Sequence, residues 1–162
     1  MIRITDQYFW NIIFVLFYLA LLSMAVIILN TEAYIPYSDL TVFDIALIAL
    51  ATHRIIRLFV YDSMTKFFRE QFLDAKVGRG KKVLLYKPER GPRRTVSDFM
   101  ECPWHFGVWA GTLVAFFYLL TPLAYFPILI LAIASVASTL QIFTNMLGQR
   151  AEQLKNQNEC GY

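Results

Sequence analysis

From Tyr8 to Leu29 the chain runs for 22 residues (YFWNIIFVLFYLALLSMAVIIL) with no ionisable group except two phenols. A helix needs roughly 20 apolar residues to cross the hydrocarbon of a bilayer, so this stretch restricts the fold more than any other. A cleaved secretory signal carries an apolar core of only about 7–15 residues behind a basic start. Here the run is longer and Arg3 is offset by Asp6, so an uncleaved first span over residues 8–29 is expected. Composition points the same way, with 57% hydrophobic and 17% charged residues, against about 45–50% and about 25% in soluble domains. With 7 Gly, 6 Pro and 2 Cys, the chain is neither disordered, nor collagen-like, nor a disulfide scaffold.

Three further spans are expected, at about 42–61, 106–121 and 128–147. The second carries Asp44 at one edge and His53, Arg54 and Arg57 in its last two turns. Arginines placed there can snorkel to the headgroups, so the span survives its charges. The third is short unless Trp104 and His105 open it, and its Gly107 and Gly111 form a G-x-x-x-G pair, either a close-packing face or a chance occurrence. Pro122 and Pro127 bracket the turn into the fourth. There Gln141 and Asn145, spaced i, i+4, are expected to face the bundle, while Ser135, Ser138 and Thr139 add hydroxyls.

Lys and Arg set the expected orientation. Between Lys66 and Arg94 there are ten basic and three acidic residues, whereas Asn30–Asp39 has no Lys or Arg. The positive-inside rule puts the first segment in the cytoplasm, and with four spans both termini follow it. Trp10, Trp104 and Trp109 then fall at the inner interface as anchors, and Tyr34, Tyr37 and Tyr125 at the outer one. The expected fold class is thus an all-α polytopic membrane protein of one domain, with a cytoplasmic segment at 62–105 and a short tail at 148–162.

Within the cytoplasmic segment, Val60, Met64, Phe67, Phe68, Phe72 and Ala75 recur at helical spacing. They predict an amphipathic helix that lies in the interface or packs on its own bundle. The basic stretch Lys76–Arg94 reads as an exposed loop in which Val83–Tyr86 is a short strand or an interfacial contact. No helix-turn-helix, RRM or OB pattern accompanies the charge, so nucleic acid is not the expected partner. Membrane topology and anionic lipid explain it more economically. Thr95-x-x-Asp98 has the form of a capping box, opening a short helix that ends near Cys102-Pro103.

Two groups of residues could carry chemistry. Cys102 and His105 have a C-x-x-H spacing that can place a thiolate and an imidazole on zinc, with His53 as a third ligand. The simpler alternative is a proline-shaped start to the third span, with Trp104 as anchor. Arg54 and Arg57 share a helical face. With Asp62 and Arg69 they form either a lipid-phosphate site or a structural clamp. No G-x-S-x-G, H-E-x-x-H, P-loop or Rossmann glycine pattern is present. No span has the row of carboxylates of a proton relay. Both cysteines would be cytoplasmic and reduced.

The string ALATHRIIRLFVYDSMTKFFREQF, followed by ECPWHFGVWAG, resembles a bacterial family of small membrane proteins of unknown function that includes a Bacillus sporulation-associated membrane protein. The resemblance covers roughly residues 42–145 and rests on Arg54, Arg57, Asp62, Arg69, Cys102, Pro103 and Trp109. His105 stands where the family pattern has a second cysteine. That exchange keeps metal-binding capacity and removes a disulfide. The resemblance implies an architecture and no activity. The expected role is structural or interactive at the inner face of a bacterial cytoplasmic membrane, without catalysis and with zinc as the one cofactor considered. Lipids are the expected partners, with a homo-oligomer or another membrane protein besides. A small enzyme acting on a phospholipid-like substrate through His53 or His105, and a holin-like pore former, are the rival readings.

Overall fold

The computed structural model describes residues 2–62, 65–77, 83–88 and 91–159. Among these residues six α-helices and one two-stranded ribbon follow in chain order: α1 (Ile2–Glu32), α2 (Val42–Ile56), α3 (Lys66–Glu70), β1 (Asp74–Val77), β2 (Val83–Tyr86), α4 (Pro92–Glu101), α5 (Pro103–Leu120) and α6 (Tyr125–Glu159). The fold is all-α as expected, apart from a small antiparallel ribbon registered Asp74 to Tyr86 and Val77 to Val83. Of the two expectations for Val83–Tyr86, the strand is the one found. The long amphipathic helix is also cut down. Helix α3 has five residues, and the chain at Ala75 is already extended, because ribbon pairing claims its backbone groups.

Among the described residues three helical segments, not four, are long and apolar enough to cross a membrane: Gln7–Glu32, Pro103–Leu120 and Pro122–Gln153. The second expected span divides into the 15 residues of α2 and a five-residue π-helical continuation, Arg57–Tyr61. Its last turn is closed by Asp62 N–H donating to the Arg57 carbonyl at 3.1 Å. The third span opens at Pro103, with Trp104 and His105 in its first turn. The fourth opens at Tyr125 and continues as helix to Glu159, so the expected tail is an extension of α6.

Helix α2 packs against both α5 and α6, while α5 and α6, though consecutive, touch each other little; α1 lies against α5 and α4. The hairpin is thus splayed and α2 fills it. Small residues make this possible. A Cβ on Gly107 would stand 3.0 Å from Ile56 Cδ1, and one on Gly111 would stand 3.5 Å from Thr52 Cγ2. The G-x-x-x-G pair is therefore the seam with α2, the close-packing use of this motif. Leu29, Ala51, Val114, Tyr118, Leu119 and Ile128 form the buried core.

At that end α2 begins with a reciprocal capping box. Asp44 N–H donates to Thr41 Oγ1, and Thr41 N–H donates to Asp44 Oδ2 at 2.9 Å. The Tyr118 hydroxyl donates to Asp44 Oδ1, which gives the one acid of α2 a partner from α5. The connection after α1 is tied down by Tyr34 and Ile35 N–H groups donating to the Leu119 carbonyl at 2.9 and 3.2 Å. The Thr41–Asp44 box was not foreseen, and the one expected at Thr95 and Asp98 is not formed. Helix α4 starts earlier, at Pro92 behind Gly91 (φ +95°), which leaves Thr95 inside the helix with its hydroxyl turned to α1.

Candidate functional site

At the opposite end of α2 its polar residues meet α6. His53 Nδ1 lies 2.7 Å from Ser135 Oγ, and the Arg54 guanidinium donates to Ser138 Oγ at 2.6 Å. Ser138 in turn donates to the Ala134 carbonyl of its own helix. A serine beside a histidine invites a nucleophilic reading. Ser135, however, is wholly buried at 0% exposure, out of reach of a substrate. The pair acts as an interhelical link. Its neighbours Gln141 and Asn145 correct the expectation that they face the bundle: both are exposed and bond each other at 3.1 Å, because α2 ends before it reaches them.

Arg57 lies one turn beyond Arg54 and is half-buried. Among the described residues, its guanidinium makes no hydrogen bond or ion pair. Asp62 follows the π turn as its C-cap and has partners of its own. Arg69 belongs to α3, with its side chain outside the described residues. The structure thus brings together Arg54 and Arg57, and among the described residues no carboxylate pairs with either. A single-turn π segment at this position is the kind of helix irregularity that recurs at functional sites.

The Cys102–Trp109 stretch sits elsewhere. Cys102 closes α4 and caps α5, with Pro103 at the first helical position, where its missing N–H costs nothing. Cys102, His105 and Asp98 line a cavity of about 400 Å³ together with Asn11, Phe14, Val15, Tyr18, Thr95, Phe99, Val108 and Trp109. His53 is turned to α6, so the tentative set Cys102, His105 and His53 is not assembled. Among the described residues no group of three or more His, Cys, Asp or Glu can hold a metal. Cys160 lies outside the described residues.

The tryptophans divide as well. Trp104 is 83% exposed, and Trp10 meets only Phe9 edge-on at 6.0 Å among the described rings. Trp109 is not an outward anchor. It stacks on Phe14 at 4.9 Å and contacts Tyr18 and Phe99 at 4.9 and 5.5 Å, which joins α1, α4 and α5. Beside this cluster, Gln7 Nε2 donates to Thr95 Oγ1 at 2.8 Å, and the Thr95 hydroxyl donates to Asn11 Oδ1 at 3.0 Å. Sequence reasoning missed this node, although Asn11, the lone amide of an apolar span, was its available signal.

The basic segment is partly neutralised. Lys87 Nζ lies 2.6 Å from Glu101 and 2.9 Å from Asp98, and Arg93 lies 3.0 Å from Asp74. Hydrogen bonds to the two carboxylates push the Lys87 ammonium above its ordinary range. Arg93 also donates to the Gln71 and Leu73 carbonyls, which fixes the ribbon to α4.

Residues 47–144 match the family model described as "Protein of unknown function (DUF1360)". The UPF0713 protein YngL of Bacillus subtilis (strain 168) is 31% identical over 98 residues, covering 59% of this chain and 73% of that relative. No solved structure matches. The match holds the core of the bundle, α2, α4 and α5 with the first part of α6, and it contains His53, Arg54, Arg57, Cys102 and His105. The chain belongs to the DUF1360 family of proteins of unknown function.

Proposed function

We propose that this is a four-span protein of a bacterial cytoplasmic membrane, with both termini inside and a structural or interactive role exerted through bound anionic lipid. The observation that carries the reading is the arginine pair. Arg54 is held by a hydroxyl and Arg57 by no described residue, so two cations on one helical face have no carboxylate partner among the described residues. A phosphate is the anion that planar guanidinium groups recognise best, and phospholipid supplies it at the end of a membrane helix.

The α2 rod supports the fourth span. Val42–Tyr61 is 20 helical residues in all, about 30 Å at 1.5 Å per residue and hence one hydrocarbon thickness. Its arginines lie at the end nearest the Lys66–Arg94 segment, as the positive-inside rule requires. The exposed Trp104 and His105 and the half-buried Cys102 of the α4–α5 junction would face the same aqueous boundary.

Native mass spectrometry of protein released from mixed phosphatidylglycerol and phosphatidylcholine nanodiscs tests the lipid site. Each basic residue near the surface contributes about 1 kcal/mol toward anionic lipid. Arg54→Gln with Arg57→Gln should therefore lower phosphatidylglycerol retention by at least about tenfold. Equal retention by the double variant, or no preference for the anionic lipid, overturns the site. Reporter fusions at the two termini check the orientation.

A further inference from the structure

The cavity beside Cys102 does not end at Tyr18. A second cavity of about 260 Å³ shares Tyr18 and Trp109 with it and continues between α1 and α5, lined by Leu21, Leu22, Ala25, Ile28, Leu113 and Phe116 among others. Together they run along α1 from Asn11 to Ile28, about 25 Å of helix. The lining changes along the way. Asn11, Thr95, Asp98, Cys102 and His105 gather at one end. Beyond Tyr18 the polar groups are spent on each other: the Thr112 hydroxyl donates to the Val108 carbonyl at 2.9 Å and meets the Tyr18 hydroxyl at 2.7 Å. At the polar end a need for a donor remains, since Gln7 Oε1, beside Asn11 and Thr95, is buried without a hydrogen bond among the described residues.

We propose that this groove holds one acyl chain of a membrane glycerolipid, with the lipid's polar head, whose hydroxyl or ammonium supplies the donor that Gln7 Oε1 lacks, at the Asn11, Thr95 and His105 end. Thickness selects the occupant. From Tyr18 to Ile28 the second cavity spans about 15 Å, so its mean cross-section is about 17 Å². That suits a single hydrocarbon chain. A helix about 10 Å across, hence roughly 80 Å² in section, does not enter it. Location selects it too. Both walls are helices long and apolar enough to cross a membrane, where water is absent and an unfilled groove forfeits its dispersion contacts. The inference rests on the membrane reading above, though not on its arginine site, which lies on the α2–α6 side of the bundle.

The test is photo-crosslinking of the full chain, reconstituted in phosphatidylglycerol and phosphatidylethanolamine vesicles doped with a phosphatidylglycerol bearing a mid-chain diazirine. Adducts should concentrate on residues 18–28 and 109–116 above the level on the exposed α6 face of Leu140, Phe143 and Leu147. Ala25→Trp, which fills the groove from α1, should cut the groove adducts at least fivefold and leave those on α6 unchanged. Leu113→Trp does the same from α5 and serves if the first variant loses helicity. Groove adducts no denser than those on α6, or insensitive to both tryptophans, overturn the proposal alone. Failure to label α6 as well overturns the membrane reading with it.

Discussion

The two ends of α2 are built on opposite plans. At the Asp44 end the helix is capped by its own Thr41, its one carboxylate takes a proton donor from Tyr118, and the neighbouring connection is bonded to the last turn of α5. Hydrophobic side chains fill the space between. At the Arg54 end the helix loosens into a π turn, its cations exceed their visible partners, and a polar-lipped cavity opens two helices away. Satisfied groups and a dry core make stability. Unneutralised charge and an open cavity are where a ligand can bind. Under the proposed function, one end serves folding and the other recognition.

Breaking the core is expected to have the largest effect. Tyr118 is 3% exposed and packs with Leu29, Ala51 and Ile128. Tyr118→Ala should cost about 3 kcal/mol, as aromatic-to-alanine changes in cores do, read as a shift of the unfolding midpoint in detergent. The Arg54→Gln and Arg57→Gln variants should leave that midpoint near wild type while losing lipid. Should the arginine variants unfold as easily as Tyr118→Ala, the division of labour between the ends is wrong.

A smaller effect sharpens the comparison at the seam between α2 and α5. At Gly107 the Ile56 side chain already lies at contact distance from where a Cβ would be. Gly107→Leu should therefore push α5 away and cost about 1–3 kcal/mol, the usual range for overpacking. Gly111→Ala, whose methyl would sit in ordinary contact with Thr52, should change the midpoint little. Equal losses at the two glycines would mean that the helices close differently in a bilayer.

These particular residues also show what a sequence can carry. The apolar length of α1, the proline-marked turn before α6 and the glycine seam were legible, because span length, Pro and Gly act locally. The role of Trp109 was not, since an indole near a helix start reads equally as an interface anchor or as a hub for three helices. Only the approach of Phe14 and Phe99 decides between them. Thr95 failed for a related reason. Its spacing to Asp98 copies a capping box, but Gly91-Pro92 nucleates the helix a turn earlier, and Asp98 is then free to pair with Lys87. The site behaved likewise. Arg54 and Arg57 stood out as ions within an apolar segment, whereas Ser135 and Ser138 acquire meaning only once α2 is laid between α5 and α6.

The smallest expected effect belongs to the surface ion pairs that join β2 to α4, and pH isolates it. The Glu101 and Asp98 carboxylates favour the charged Lys87, which raises its pKa in the folded chain above the ordinary 10.5. A raised folded-state value means that the stabilisation is complete below 10.5 and is lost as pH climbs through the folded-state value. The side chain is 41% exposed, so solvent screening holds the contribution to no more than about 1 kcal/mol. Thermal unfolding of wild type and Lys87→Met, followed from pH 7 to about 11.5, should show a constant small gap that closes only at the alkaline end. Other groups titrate alike in both proteins, so the difference between the curves reports Lys87. A gap that closes well below about pH 10, where the ammonium is still charged, would mean that the pairing of Lys87 with Glu101 and Asp98 does not hold β2 against α4.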